Sequence, residues 1–419
     1  MNGANMAKET RRGITYEEAV AILRESDVKI KGEEKLFLHD SLGRILARDV
    51  VANEDMPPFP TAAMDGYACR SSDLSEGVPL CVLGDNPAGN PSVLELMPQS
   101  CIKTFTGSRM PSGSDRLVIV EDTQEQAGKL YIKNFPPSEG LFIRQRGDNY
   151  KAGEVLLKAG TLISPAEIGL LASLNKVFVH VRKKPIVSIL SGGNELVELG
   201  EERESDNMLR SSNNHMLKAL VDSLGGEGRI VDILPDEPAS IKDALTLALK
   251  ESDIVLSTGG MSMGDYDFTQ RAIYELCDEV SFHGVKVKPG KPIAYAKKGD
   301  THLFGLPGFP NSCFVTFYLF GRIILNRMLG IAPNIPKLRA KLNEDLKKEA
   351  GRAEFRTCTL KLIEGEWQVD FVGKKGIQSS IINNLCGSSA LVILEQECVA
   401  KSCGEYVDVV LFKPLEAIL

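Results

Sequence analysis

The stretch SDIVLSTGGMSMGDYDFT occupies residues 252–269. Residues 253–257 form an apolar, β-branched run. Gly259 and Gly260 follow, then a short loop carrying Asp265 and Asp267, then helical sequence from Phe268. A strand that ends in glycines and re-enters as a helix offers backbone N–H groups to a phosphate. The neighbouring carboxylates add a divalent metal to the anion. The same residues also read as a tight turn with Asp267 capping a helix, so the sequence on either side has to choose between the two.

Outward from this stretch, strand and helix alternate at crossover spacing. Strands are expected at 186–190, 228–234, 253–257, 293–296 and 302–306, and helices at 213–224, 238–250, 268–277 and 311–329. The natural product is a parallel sheet with helices on both faces. Ligands of such sheets bind beyond the carboxyl ends of the strands. The loops 192–195, 236–238, 259–267, 288–291 and 307–310 end there.

These loops carry Glu195, Asp236, Asp267, Lys288, Lys291 and the glycine pair. Taken singly, each has a plainer reading. Asp236 caps a helix, Glu195 is a solvated loop acid, the lysines are surface charges, and 307–310 is a helix entry. Together they suit cleavage of a phosphoanhydride. The acids hold Mg²⁺ directly or through water, the lysines neutralise phosphate oxygens, and the metal polarises a phosphoryl oxygen. No Ser-His-Asp or Cys-His set and no complete GxxxxGK[ST] loop competes with them.

The flanks are of different character. Residues 1–12 read as disordered, and 15–25 as a capped amphipathic helix. Residues 53–70 contain Pro57, Pro58 and Pro60, which stiffen an extended linker. Asp65 then stands before Gly66 as a turn residue and as a further candidate acid; Thr106-Gly107 closes a strand. Residues 71–144 hold short β-like runs (VPLCVLG, CIKTFTG, RLVIVED, LYIKNF) that read as a β-rich insert. A helix starts at Pro165 after a Ser164 cap. Residues 332–336 form a second stiff linker, and 337–419 read as a small β barrel or sandwich.

The bulk numbers set bounds. A chain of 419 residues predicts two to four domains at about 150 residues each. A net charge of −7 argues against nucleic-acid or membrane-surface binding, so neither is an expected partner. Nine scattered cysteines without CxxC spacing argue against a disulfide framework or structural zinc. No apolar run approaches the ~18 residues of a membrane span, and the polar N-terminus lacks a secretory h-region, so a cytoplasmic location is expected.

Eight motifs then fall in order: PPFPTAAMDGYA, FTGSRMP, IRQRGD, LSGGNEL, DEP, STGGMSMGDYDFT, KPGKP and GLPGFP. In this order they resemble the molybdopterin molybdenumtransferases, the MoeA and gephyrin E-domain family, over about residues 14–419. The resemblance implies a multidomain α/β plus β fold. Its parts are a discontinuous elongated linker domain (13–55 and 145–182), a β-rich inserted domain (56–144), a central parallel α/β molybdopterin-binding domain (183–331) and a C-terminal β-barrel-like domain (332–419). It implies an enzyme of molybdenum cofactor biosynthesis, a transferase that cleaves adenylylated molybdopterin, releases AMP and inserts molybdate into the dithiolene with Mg²⁺. It also implies a homodimer with its cleft between subunits, and contact with molybdopterin adenylyltransferase and molybdoenzyme acceptors.

By motif match, Asp65, Glu195, Asp236, Asp267 and Lys288 fall on catalytic positions, with Glu195, Asp236 and Asp267 as metal ligands. Thr106, Gly259, Gly260, Ser262, Lys291, Pro307, Ser379 and Ser380 fall on substrate-binding positions. The chain also departs from the family pattern. Asn149 and Asn194 stand where aspartate is common, a basic residue is common near Gly284, and Phe309 replaces the amide of a usual PGNP. These changes remove two carboxylates and alter the pocket, so weaker cation attraction is expected. They leave open a divergent paralogue that binds molybdopterin or a partner protein with little turnover, or an enzyme that prefers tungstate. The related adenylyltransferase, a single compact domain, is disfavoured by the Pro-rich linker, the β insert and the C-terminal β region.

Overall fold

The protein is described from a computed structural model covering residues 10–89, 95–136, 140–261, 268–374 and 379–413. The chain divides into two units, residues 1–47 with 179–419 and residues 48–178.

The first unit is built on a seven-stranded sheet. Its order is Arg11–Ile14, Glu279–Val285, Ala294–Lys298, Thr301–Leu306, Ile254–Thr258, Ile186–Gly192, Glu227–Leu234. The four strands at the Glu227–Leu234 end pair in parallel, as the alternating pattern predicts. Ala294–Lys298 runs antiparallel to both its neighbours. It is the one reversed strand, because short turns rather than helical crossovers join it to the chain on each side. Arg11–Ile14 adds an edge strand parallel to Glu279–Val285. Sequence reading has disorder through residue 12; the segment orders because a sheet edge some 270 residues away in sequence takes it up.

Ile254–Thr258 and Thr301–Leu306 are buried at every position. That is the expected state of a strand covered on both faces. Alternate residues feed two cores. Ile254, Leu256, Phe304 and Leu306 pack with helices Tyr16–Glu25, Asn213–Ser223 and the Pro310–Met328 segment. Val255, Leu303, Ala294 and Ala296 pack with Pro238–Glu251 and Phe268–Leu276. Phe282 and Phe304 are fully buried, which stabilises the fold by roughly 2–3 kcal/mol each. The helix expected over 311–329 runs as Pro310–Thr316, a π turn Phe317–Gly321 and Arg322–Met328.

Local signals fix several helix starts. Thr15 Oγ1 accepts from Glu18 N at 3.2 Å while Thr15 N donates to Glu18 Oε2 at 2.8 Å. This reciprocal box satisfies two amides that the first turn leaves without helical partners. Ser164 and Glu167 do the same in the second unit, with Pro165 as the first helical residue.

Residues 337–411 close into a five-stranded barrel. Its order is Ala353–Ile363, Glu366–Asp370, Lys337–Leu342, Tyr406–Leu411, Ala390–Leu394 and back to Ala353–Ile363. Closure leaves these five strands no free edge. The two-residue strand Val287–Lys288 pairs in parallel with Ala353–Glu354, stitching the α/β part to the barrel.

The second unit carries a six-stranded sheet, ordered Arg116–Ile119, Gly66–Cys69, Ser100–Thr104, Leu80–Asn86, Lys129–Ile132, Thr123–Gln126. All four β-like runs of the insert become strands. Tyr67, Cys69, Leu80, Cys101, Val118 and Leu130 form its core.

Candidate active site

The co-directional strands Ile186–Gly192, Glu227–Leu234, Ile254–Thr258, Glu279–Val285 and Thr301–Leu306 all end on one rim. The loops carrying Glu195, Asp236, Gly259, Lys288 and Pro307 leave from those ends. The reversed strand starts at the same rim, which keeps the 288–292 connection there without a crossover helix.

Gly259 and Gly260 follow the strand with φ of +88° and +59°, a region that side chains rarely adopt. A Cβ on Gly259 would stand 2.7 Å from the carbonyl oxygen of Gly192, and one on Gly260 the same distance from Thr269 Oγ1. The glycines therefore allow two neighbouring strand ends to touch. Beneath them Ser191 Oγ donates to Asn214 Oδ1 at 2.5 Å and meets Thr258 Oγ1 at 2.8 Å.

Glu195 is placed by a small parallel ladder. Leu196–Val197 pairs with Leu209–Arg210, and Leu209 N donates to Glu195 O at 2.7 Å. Among the described residues its carboxylate accepts no protein hydrogen bond. Asp236 is held from across the rim: its Oδ2 accepts from Asn194 N at 3.2 Å, and its N donates to Asn194 Oδ1 at 3.1 Å. Its Oδ1 is turned to the Gly192 side, 3.9 Å from where a Cβ on that glycine would stand. Asp236 does not cap the following helix, whose N-cap is Glu237.

A cavity of about 290 Å³ opens at this rim. Ser191, Gly192 and Glu195 line it from one strand end, Thr258 and Gly259 from the next, and Gly308, Phe309 and Pro310 from a third. Leu196 and residues 209–213 complete the lining. Sequence reading passed over this last segment. Its signal is Ser211-Ser212-Asn213-Asn214, a polar cluster that also reads as an ordinary helix start. Asn213 Nδ2 donates to Gly308 O at 2.7 Å, tying the helix start to the 307–310 loop.

Lys288 does not line the cavity; its Nζ stands 3.4 Å from Glu354 Oε1 of the barrel, and Glu354 also pairs with Arg356 at 2.8 Å. Lys291 is exposed, and Pro307 is buried. Ser379 O accepts from Asn311 N at 3.1 Å, so the barrel reaches the helix that begins at Pro310, while Ser380 is exposed. Ser262, Asp265 and Asp267 lie outside the described residues. In the second unit, Thr106 N and Oγ1 donate to Asp65 Oδ1 at 2.8 and 2.6 Å. The hydroxyl bond, then the amide bond, hold the Asp65 carboxyl below its usual range.

Among the described residues no three His, Cys, Asp or Glu side chains converge as a ready-made cage. Glu195 and Asp236 Oδ1 instead offer hard carboxylate oxygens without a hydrogen-bond partner among the described residues. Such a pair suits Mg²⁺, which is usually held by one or two carboxylates together with water and substrate phosphates.

Two family models match the chain. Residues 14–175 match the MoeA N-terminal region (domain I and II), and residues 188–327 match a probable molybdopterin binding domain. A molybdopterin molybdenumtransferase of Haemophilus influenzae is 34% identical over 387 residues, 91% of this chain and 94% of the relative. The chain belongs to the molybdopterin molybdenumtransferase family. A second family member, from Bacillus subtilis, is 33% identical over 422 residues, 97% of this chain and 95% of the relative. The crystal structure of the molybdopterin biosynthesis MoeA protein of Pyrococcus horikoshii superposes with a TM-score of 0.82 at 32% identity, covering 96% of this chain and all of that one. The MoeA fold thus accounts for the α/β sheet, the β-rich insert and the closed C-terminal barrel together. No helix among the described residues is long and apolar enough to cross a membrane.

Proposed function

We propose that this chain acts in molybdenum cofactor biosynthesis by cleaving adenylylated molybdopterin, releasing AMP, and inserting molybdate into the dithiolene in a Mg²⁺-dependent reaction. The observation that carries the proposal is that Glu195 and Asp236 leave neighbouring strand ends on the rim that carries the Gly259 turn. Two carboxylates with uncommitted oxygens stand against a rim of strand ends, on the fold of a family named for this transfer.

In this reading Glu195 and Asp236 hold Mg²⁺, with Asp267 assigned by motif alone. Bound there, the metal would polarise a phosphoryl oxygen of the anhydride. Gly259, Gly260 and Pro307 bring backbone close to the substrate, and Lys288 and Lys291 offset its negative charge. Ser262, Ser379 and Ser380 contact the substrate. Asp65, kept ionised by Thr106, accepts a proton or a hydrogen bond from it, and Thr106 orients that carboxylate. The active species is a homodimer with its cleft between subunits, meeting molybdopterin adenylyltransferase upstream and molybdoenzyme acceptors downstream. Nine cysteines, all unpaired, suit a reducing compartment such as the cytoplasm. The finer domain division proposed is 13–55 with 145–182, 56–144, 183–331 and 332–419.

Asn194 bears on the binding-only alternative. An aspartate there would set a second carboxylate against Asp236, whereas the amide oxygen accepts the Asp236 N–H. The clasp between the two loops is thus kept while one negative charge is lost. The test supplies adenylylated molybdopterin, Mg²⁺ and either molybdate or tungstate to the purified protein and measures AMP. Glu195→Gln and Asp236→Asn are expected to lower the rate about 100-fold. Absence of AMP above background, with an active relative as control, would overturn the reading; a higher rate with tungstate would reassign the oxyanion.

A further inference from the structure

Two lysines leave the same short loop and are treated differently by the fold. Lys288 ends the strand Val287–Lys288, and Lys291 follows within the loop. The backbone between them is closed: Val285 N donates to Lys291 O at 2.9 Å, and Gly284 N to Ile293 O at 2.8 Å. Gly290, at a φ of +105°, lies so near Thr316 Cγ2 that no Cβ fits there. Both side chains therefore leave a fixed frame. Lys291 is exposed. Lys288 is 33% exposed, and its Nζ is drawn to within 3.4 Å of Glu354 Oε1.

Glu354 does not need Lys288 for its own charge. It is buried in the barrel, and its Oε2 accepts from Arg356 Nε at 2.9 Å and from Arg356 Nη2 at 2.8 Å. Arg356 is itself nearly buried, and its Nη2 also donates to Lys347 O. A buried carboxylate requires one well-placed cation, and Arg356 supplies it. Oε1 is left over for Lys288. The register brings the two together, since Lys288 and Glu354 are partners across the parallel ladder, with Glu354 fixed opposite Leu394 on its other side. One carboxylate and two cations leave a single surplus positive charge, and Lys288 is the most exposed of the three. Its contact is also longer than the Arg356 bonds. An anion can take over the ammonium without stripping Glu354 of its counter-charge.

We propose that Glu354 is a positioning residue for Lys288. It holds the ammonium at the rim with much of its rotamer freedom already lost, and yields it to phosphoryl oxygens as charge builds in the transition state. Glu354 touches no substrate and acts only through Lys288. The inference rests on the proposed function for the reaction served. Its kinetic signature is a split. The Glu354 charge opposes a resting anion, so Glu354→Gln should leave KM unchanged or lower it by up to about threefold, while kcat falls about tenfold as Lys288 loses its setting. A rim distorted by the substitution would raise KM instead.

A double-mutant cycle on the full chain tests this, with AMP release normalised to the folded fraction. In a Lys288→Met background, Glu354→Gln should change kcat by less than about twofold, because the residue it acts through is gone. Its effect on the thermal midpoint, which comes from Arg356, should be the same in both backgrounds. Glu354→Asp is the second variant should Glu354→Gln not fold. It keeps a charge for Arg356 but draws the carboxylate back from Lys288, and should lower kcat severalfold in wild type only. Labelling with N-hydroxysuccinimidyl acetate, read by peptide mass spectrometry, needs no turnover. Glu354→Gln should speed labelling of Lys288 about three- to fivefold, the worth of a partly exposed ion pair, and leave Lys291 within about twofold. An equal kcat loss in both backgrounds, a raised KM, or unchanged labelling of Lys288 overturns the positioning role. If AMP is released while Lys288 labelling ignores Glu354, the reaction stands and the positioning role fails. If labelling responds to Glu354 while wild type releases no AMP, the hold on Lys288 stands and the proposed reaction fails.

Discussion

Asn194 and Asp236, 42 residues apart, hold each other by reciprocal bonds from backbone N–H to side-chain oxygen, at 3.2 and 3.1 Å. The pair clasps the loops that leave two adjacent parallel strands, and it aims one oxygen of Asp236 back along the rim. Asn194→Ala removes one arm of the clasp, for about 1 kcal/mol of stability and about tenfold in kcat/KM as Asp236 loses its setting. Asn194→Asp adds a negative charge beside the proposed Mg²⁺ ligands. The Mg²⁺ concentration for half-maximal AMP release should then fall severalfold, roughly as 1 kcal/mol of added attraction allows. A Mg²⁺ titration of wild type and both variants reads this, and an unchanged half-point in Asn194→Asp would remove Asp236 from the metal's neighbourhood.

Gly259→Ala combines two penalties, a φ of +88° and a Cβ 2.7 Å from the Gly192 carbonyl. The strand ends must separate, so both stability and activity should fall, the former by more than about 2 kcal/mol. Gly299→Ala is the control. Its φ is +56°, but a Cβ there meets nothing within 4 Å. It should cost about 1 kcal/mol and leave turnover intact. Thermal melts and AMP-release rates separate the two; equal losses would refute the close approach of strands.

Glu354 is 1% exposed and serves two cations, Arg356 at 2.8 Å and Lys288 at 3.4 Å. Glu354→Gln leaves the nearly buried Arg356 guanidinium without its counter-charge and should cost roughly 3 kcal/mol. Lys288→Met removes the more exposed partner. It should change stability by less than about 1 kcal/mol while lowering AMP release about 100-fold. The opposite ranking in denaturant melts would make Lys288 structural and take it out of the reaction.

His302 is fully buried, with its Nδ1 2.8 Å from Tyr295 OH. Tyr295 donates in turn to Ser26 Oγ at 3.0 Å, and Ser26 donates to Ile22 O, which puts the imidazole proton on Nδ1. Burial pushes the imidazole down from 6.5 to about 4, with Lys297 and Arg327 acting in the same sense. The unfolded chain therefore binds the proton first as pH falls. Stability from the neutral imidazole is complete above the unfolded value of 6.5 and is lost as pH drops towards about 4, up to roughly 3 kcal/mol. Urea midpoints between pH 4.5 and 7.5 should fall more steeply for wild type than for His302→Gln. Parallel slopes would show that the imidazole does not drive the acid sensitivity.

The α/β alternation is plain in the sequence because the strands 254–258 and 301–306 are apolar on both faces, and because Thr15 and Ser164 announce their helices with a glutamate three residues on. Glu195 and Asp236 are legible for a related reason: each follows a strand end within three residues. What the sequence hides is whatever depends on distant partners. Arg11–Ile14 is polar and short, and only its pairing with Phe282–Val285 makes it a strand. Glu354 sits in a barrel strand whose alternation gives no hint of a neighbour from the α/β part. Asp236 precedes Glu237-Pro238 and so resembles a cap, but its carboxylate is drawn across the rim by Asn194. Ser211 and Asn213 resemble a helix start until the loop at Gly308 is folded against them.

The pairing of Val287–Lys288 with Ala353–Glu354 gives the barrel a mechanical role. A closed barrel is stiff, and this one grips the lysine-bearing loop by both backbone and side chain. Whatever takes hold of the barrel therefore pulls on the substrate rim, and whatever settles on the rim steadies the barrel. Hydrogen exchange along Ala353–Ile363 becomes a remote gauge of occupancy at the rim, slowing when a ligand engages Lys288 and recovering when it leaves.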